Sequence, residues 1–410
     1  MEFETFNLTD LYTISSGLSK NRKYFGTGTP FLTFKDVFDN LILPNEFSGQ
    51  VITEEKEREK YSVKKGDLFL TRTSEKQNEL GISAVALKDY KNATFNGFTK
   101  RLRPNKYCEN KLLPVFAAFY FRSNNFRNQV NSMSIMSTRA SLNNEMISKL
   151  KITIPSLQNQ MKISHILLAL LKKEKINQKI IANLEELSQT LFKRWFVDFE
   201  FPDENGNPYK SSGGEMVDSE LGEIPRSWKV DELGNYIKIK SGKRPKNKVD
   251  KEDIENVVPI IGASKIVGYT NDYLYNEKII IIGRVGTHGV IQRFSTRTWP
   301  SDNTFVITSD FESIIYQVLK SIDYISLNRG STQPLLSQKD IKNTKVVMPS
   351  NATLLSKYQK KNNHILKMMD QKIIENKKLT QLRDTLLPKL MSGEIEIPDD
   401  IEVNEDDLSI

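Results

Sequence analysis

Basic residues set beside glycines are the side chains in this 410-residue chain best suited to chemistry, and that chemistry is contact with a polyanion. Gly17 is followed by Lys20, Arg22 and Lys23, and Gly242 by Lys243, Arg244, Lys246 and Lys248. From Lys238 to Lys248 there are six positive residues and no acid. The loop Gly283-Arg-Val-Gly-Thr-His-Gly289 follows a run of four isoleucines and carries Arg284. In the first half of the chain Thr71-Arg72 stands at the same point after an apolar run, in a polar loop that also holds Lys76 and closes at Gly81. Arg139 and Arg329 flank two Ser-Thr motifs, the second of which includes Gln333. Glycines allow backbone to approach a phosphate or a groove, and arginine donates paired hydrogen bonds to phosphate or guanine. Tight turns that need positive φ, or merely solvated loops, account for the same residues without a ligand. Which residues meet bases and which meet phosphates stays open.

Other chemistries find little support. There is no G-x-x-x-x-G-K-[ST] phosphate loop and no H-E-x-x-H zinc motif. Two of the three histidines, His165 and His364, sit at equivalent places in helical stretches, where packing or solvation explains them better than catalysis; His288 lies in the glycine loop. A single cysteine, Cys108, excludes an internal disulfide framework and a cysteine zinc cluster. Asn207-Pro-Tyr209 faintly matches the Asn-Pro-Pro-aromatic loop of amino-methyltransferases but lacks the second proline. Glu54–Lys60 and Asp203-Glu204 are acidic without being strand-like, which a metal-dependent nuclease would require.

Net charge is +8, and residues 394–410 hold eight acids with no Lys or Arg, so the rest of the chain is considerably more basic than the total. Such a body attracts polyanions, although a lysine-rich solubilising surface has the same composition. No apolar run approaches the ~20 residues of a membrane span. The start, MEFETFNLTD, has no secretory pattern, so a cytoplasmic protein with no membrane contact is expected.

The elements that must position these residues occur twice. Leu8–Gly17 (LTDLYTISSG) returns as Leu233–Gly242 (LGNYIKIKSG), and Ser137–Pro155 as Ser331–Pro349. Each copy reads as mixed α/β. The first, 1–155, offers strand-like runs at Phe31–Phe34, Asp67–Thr71, Ile82–Leu87 and Leu150–Ile154, with helical spacing over Leu112–Phe126. The second, 228–350, offers Val258–Ile261, Ile279–Ile282, Thr304–Ile307 and Lys345–Met348, with a helix near Phe311–Ile322. An insert at about Asn40–Lys65 lengthens the first copy. Over 156–200 the period changes to 3-4, with Ile163, Ile166, Leu170, Ile180, Leu184, Leu187 and Leu191 forming a seam that Lys173 and Asn177 interrupt. Segment 351–393 repeats the pattern less cleanly through Ile365, Met368, Leu379, Leu382 and Leu386. Each stretch makes a helix of roughly 50–60 Å at ~1.5 Å per residue. The expected fold is two mixed α/β domains separated by a long antiparallel two-helix coiled coil with internal pseudo-twofold symmetry. Segment 201–227, rich in Pro, Gly and Ser and without a period, reads as a linker, and 394–410 as an acidic tail.

The constant-looking segments carry a resemblance. Leu184-Glu-Glu-Leu-Ser-Gln-Thr-Leu-Phe-Lys-Arg-Trp-Phe196, then Asp218-Ser-Glu-Leu-Gly-Glu-Ile-Pro225 and Trp228, closely resemble the central region of type I restriction–modification specificity subunits. Leu379-Thr-Gln-Leu-Arg-Asp-Thr-Leu-Leu-Pro-Lys-Leu-Met-Ser-Gly-Glu394 resembles their C-terminal region. The resemblance implies two target recognition domains, each reading one half of a split, asymmetric site in double-stranded DNA, with the helices setting the unread gap. It implies a subunit without catalytic activity that docks two methyltransferase subunits and two ATP-driven restriction subunits. S-adenosylmethionine, ATP and Mg would then belong to the partners, with target adenines flipped into a partner's pocket. Leu191, Phe192, Trp195 and Phe196, with Leu386, Leu387 and Leu390, fall in the motifs that the resemblance assigns to subunit docking; alternatively they only close the helix pair. Two other readings are a self-contained methyltransferase–nuclease, whose motifs are absent, and a coiled-coil scaffold, which would spread its basic residues along the helices rather than in glycine-bearing loops.

Overall fold

A computed structural model describes residues 2–74, 79–134, 140–285, 289–327, 335–398 and 403. The chain forms two compact units, one of Met1–Ile176 with Asn376–Ile410 and one of Asn177–Glu375. The unit boundaries fall inside two long helices, Leu157–Phe192 of 36 residues and Ala352–Ser392 of 41 residues.

In the first unit the strand Phe3–Asn7 pairs antiparallel with the strand Lys151–Pro155, which joins the start of the domain to the entry of the long helix. A four-stranded sheet follows the order Tyr12–Ser16, Thr99–Pro104, Leu68–Thr71, Ser83–Val85. A second sheet pairs Phe25–Leu32 in parallel with Tyr90–Phe95 and adds Gly49–Val51 and Ser62–Val63, both from the Asn40–Lys65 insert. The second unit repeats this plan. Trp228–Glu232 pairs with Lys345–Pro349, and its four-stranded sheet runs Lys238–Ser241, Thr304–Thr308, Ile279–Gly283, Ile291–Phe294. Val258–Ile261 lies parallel to Trp299–Pro300, with Ile266–Thr270 on its other edge. All four isoleucines from Ile279 to Ile282 are fully buried, as a run of apolar residues in a central strand covered on both faces should be.

Glycine explains why the opening motif recurs. A Cβ at Gly17 would stand 2.0 Å from the Asn96 carbonyl oxygen, and one at Gly242 would stand 2.2 Å from the Ser301 carbonyl oxygen. In both units a strand end therefore lies directly against the turn that enters the central strand of the sheet, and no side chain fits between. The second motif also folds alike in both copies. Asn143 accepts from the Met146 N–H and Ser337 from the Asp340 N–H, capping the short helices Asn144–Ser148 and Gln338–Asn343.

Three expected elements differ. The Phe31–Phe34 strand ends at Leu32, because Thr33 and Asp36 cap one another and start the helix Phe34–Asp39. The Leu112–Phe126 helix is two helices, Pro114–Tyr120 and Asn124–Ser134. The break lets Arg122 donate to the carbonyls of Ser83, Val37, Phe38 and Asn40, and burial there brings its pKa down to about 10. Segment 201–227 is folded: Met216–Ser219 and Gly222–Pro225 form a hairpin, while Phe199, Phe201 and Phe196 pack around Trp228.

Each unit contains a stretch of both long helices, and within each the two stretches run antiparallel. In the first unit Glu174 meets Thr380 and Arg383, and Lys162 reaches the Pro398 carbonyl. In the second, Ser188 bonds Asn362 and Phe192 packs on Tyr358. The buried line keeps Ile163 and Leu184 of the expected seam and departs from it at other places. Leu167 is buried, whereas Leu187 is 51% exposed; on the other helix Leu366 and Met369 are buried, whereas Met368 and Leu382 are nearly half exposed. Polar residues occupy the vacated places, with Glu174, Asn177, Ser188 and Asn362 all buried. Among the described residues no helix is long and apolar enough to cross a membrane.

A buried ion cluster locks the second unit. Arg293, on the sheet-edge strand Ile291–Phe294, bridges Glu312 at the start of the helix Glu312–Ser321 and Asp370 of the long helix. Burial opposes its charge, but the two carboxylates outweigh that and hold its pKa above the ordinary value. Replacing Arg293 by Met should destabilise this unit by about 3–5 kcal/mol, since the buried Glu312 carboxylate and the partly buried Asp370 carboxylate would lose their cation. Gly242→Ala should cost about 1–3 kcal/mol by overpacking against backbone that cannot yield. Thermal denaturation checks both, and an unchanged midpoint for Gly242→Ala would mean the turn can move aside.

Candidate nucleic-acid interface

At one end of each four-stranded sheet the same arrangement is built from different side chains. In the first unit Thr99 lies opposite Thr71, and Lys100 opposite Ser16. In the second, Thr304 lies opposite Gly283, and Phe305 opposite Ser241. These registers make Arg72 equivalent to Arg284, Phe98 to Asn303 and Lys100 to Phe305. The backbone around each arginine is clasped identically. The Arg72 N–H donates to the Phe98 carbonyl (2.8 Å) and its carbonyl accepts from the Leu142 N–H (2.8 Å). The Arg284 N–H donates to the Asn303 carbonyl (3.0 Å), and its carbonyl accepts from the Leu336 N–H (3.0 Å). The arginine pair inferred from the repeat is thus one structural position occurring twice.

The residues around the two arginines differ between the units. Lys100 is buried and donates to Ser16 Oγ and Asn144 Oδ1, both at 2.8 Å. Its pKa is lowered by burial and then by the neighbouring Arg72 charge. In the second unit Gln338, the counterpart of Asn144, donates directly to Ser241 Oγ (3.1 Å), and the Arg284 guanidinium lies 5.5 Å from the centre of the Phe305 ring. In both arginines Nε is buried and has no hydrogen-bond partner among the described residues. A buried, unpartnered guanidinium nitrogen carries an unpaid desolvation cost, which an incoming acceptor would relieve.

The turns beyond these arginines stand out from the sheet. Thr99 Oγ1 donates to the Asn96 carbonyl (3.0 Å) and Thr304 Oγ1 to the Ser301 carbonyl (2.7 Å), so both turns have the same internal bond. Phe98 at the first tip is 65% exposed, and Asn303 at the second is exposed.

The basic loops after Gly17 and Gly242 divide. Lys20 is held by Glu57 and by the Ile52 carbonyl, an ion pair that keeps the Glu57 carboxyl below its usual range. It serves the domain's own packing. Arg22 and Lys23 are exposed in the short turn Arg22–Tyr24, as are Lys243, Arg244, Lys246 and Lys248. Arg244 and Lys248 line a cavity of about 490 Å³ together with Val285, Ser301, Asp302 and Asn303, which places them beside the second tip. Lys76, Arg139, Arg329 and Gln333 lie outside the described residues.

The residues considered for subunit docking turn inward. Phe192, Trp195 and Phe196 are buried around Tyr358 in the second unit's core, with Leu191 packed partly against it. Leu390 is buried in the first unit's core, and Leu386 and Leu387 pack on that core. Sequence reasoning missed Ser16, Phe98, Lys100, Asn144, Asn303 and Gln338. Extending the repeat alignment from Arg72 and Arg284 through the following strands would have paired them.

The family model described as "Type I restriction modification DNA specificity domain" matches residues 1–186 and 225–384. The chain is similar to the type I restriction enzyme MjaIX specificity subunit of Methanocaldococcus jannaschii, at 25% identity over 97% of this chain and 94% of that protein. It is also similar to the HindI specificity subunit of Haemophilus influenzae, at 26% identity over 89% and 94%. Its fold resembles the crystal structure of the S subunit of a type I restriction-modification system from M. genitalium, with a TM-score of 0.58, 17% identity, and 98% and 97% of the two chains covered. The family model spans most of both copies of the domain and the long helix after each, and the chain belongs to the family of type I restriction–modification DNA specificity subunits.

Proposed function

We propose that this chain reads a split, asymmetric sequence in double-stranded DNA, one half with each α/β unit, and that its long helices set the length of the unread gap. The observation that supports this best is the twice-built sheet end, where an arginine with a buried, unpartnered Nε stands behind an exposed tip residue. Arg72 and Arg284 supply the base or phosphate contacts nearest the tips. Arg22, Lys23, Lys243, Arg244, Lys246 and Lys248 supply the salt-sensitive backbone contacts. The chain is not itself an enzyme in this reading. It carries two methyltransferase subunits, which use S-adenosylmethionine to methylate adenine, and two restriction subunits that use ATP and Mg, in the cytoplasm. Because Phe192, Trp195 and Phe196 are consumed by the core, docking falls to exposed apolar side chains of the long helices such as Leu187, Met368 and Ile373.

Exchanging residues 1–155 for the corresponding piece of a relative should change one half of the recognised sequence and leave the other intact. Mapping methylated adenines in DNA from cells expressing the exchanged protein with its partners reads this directly, and changes in both halves would contradict modular reading. Arg284→Ala should weaken specific binding by about 1–3 kcal/mol if the guanidinium meets a base. A preserved sequence preference with a shallower salt dependence would instead make Arg284 a phosphate ligand.

A further inference from the structure

The two tips share a backbone and differ in chemistry. Phe98 and Asn303 occupy one position by strand register, by the arginine N–H that each carbonyl accepts, and by the threonine bond that closes each turn. We propose that this position is what makes the two half-sites different: Phe98 selects thymine at one base pair through apolar contact with its 5-methyl group, and Asn303 selects adenine in the other half through paired amide hydrogen bonds. The inference rests on the DNA-reading function proposed above and assigns its discriminating side chains.

Three observations carry it. First, neither side chain serves the fold. Phe98 leaves 65% of its surface in solvent, and the Asn303 side chain is exposed and makes no hydrogen bond among the described residues, whereas the flanking Thr99 and Thr304 are fully buried. Second, both are held rigidly. The Phe98 N–H donates to Asn96 Oδ1 (2.8 Å), and each turn is pinned between its glycine contact and its arginine. A rigid tip loses little entropy on binding, and this makes its contacts discriminating. Third, the chemistries are complementary to different base edges. Asn offers one acceptor and two donors, matching adenine N7 and N6, while Phe offers only an apolar edge, matching the thymine methyl. Arg72 and Arg284 stand directly behind, ready to hold the register of either tip.

The test uses the full chain, a pool of randomised DNA duplexes, and the variants Phe98→Asn, Asn303→Ala and Asn303→Phe, with bound sequences read out and affinities titrated against salt. Phe98→Asn should move the preference at one base pair of one half from thymine toward adenine and leave the other half unchanged. Asn303→Ala should reduce the preference for adenine at one pair of the other half by about 5- to 150-fold, the worth of one bidentate contact. Asn303→Phe should replace that adenine preference by thymine. Thermal midpoints should stay at the wild-type value, because both side chains are exposed. Unchanged base preferences, or an equal weakening for every sequence with a shallower salt dependence, overturn the assignment while leaving DNA recognition standing. A wild-type chain that enriches no sequence overturns the recognition reading, and this inference with it.

Discussion

The fold turns on a contact with room for a hydrogen atom and nothing larger. At Gly17 and at Gly242 the end of a strand is pressed against a turn carbonyl, at 2.0 and 2.2 Å from where a Cβ would be. That approach fixes three things together in each unit. The turn cannot drift, so the tip residue projects from a set point. The strand leaving the turn enters the centre of the four-stranded sheet in register with the strand that ends just before Arg72 or Arg284. The chain beyond the glycine then reaches the surface, where Arg22 and Lys23 in one unit and Lys243, Arg244, Lys246 and Lys248 in the other are exposed. Gly17 and Gly242 are thus packing devices that seat the turns.

The long helices obey a different logic. A coiled-coil seam built wholly of leucine and isoleucine is stable but tolerant of sliding, because each apolar residue packs acceptably one turn away. Here the seam includes Glu174 bonded to Thr380 and Arg383 in one unit, and Ser188 bonded to Asn362 and Gln317 in the other. A one-turn slip would leave these buried groups without partners, at about 1–3 kcal/mol each. The polar residues give up some burial energy and in exchange determine a single register, the best-attested use of buried polar groups in helix pairs.

That logic also marks what the sequence could and could not reveal. The strands Leu68–Thr71 and Ile279–Gly283 and the repeat itself were legible because burial on both faces demands apolar runs, and duplication preserves the residues that hold strands together. The equivalence of Arg72 and Arg284 was legible for the same reason. The helix seam was right at Ile163 and Leu184 and wrong in part, because periodicity counts apolar residues and therefore chose Leu187, Met368 and Leu382 over Glu174, Ser188 and Asn362, whose burial depends on partners far away in the chain. Segment 201–227 was read as a linker because an aromatic cluster around Trp228 has no period. Phe98 and Asn303 passed unnoticed since neither resembles a DNA contact when taken alone; only the three-dimensional register makes them one position.

The separation of rigid frame from exposed tip has an energetic consequence. Substitutions in the frame, at Gly17, Thr99, Gly242 or Thr304, strike buried backbone or fully buried side chains. They carry the costs of overpacking or of orphaned polar groups. Substitutions at an exposed tip fall within about ±0.5 kcal/mol of neutral, since nothing in the folded chain depends on them. A domain stable by only 5–15 kcal/mol tolerates few changes of the first kind and almost any number of the second. Two copies of one frame inside one chain can therefore hold the same geometry while their tips, Phe98 and Asn303, differ in every chemical respect.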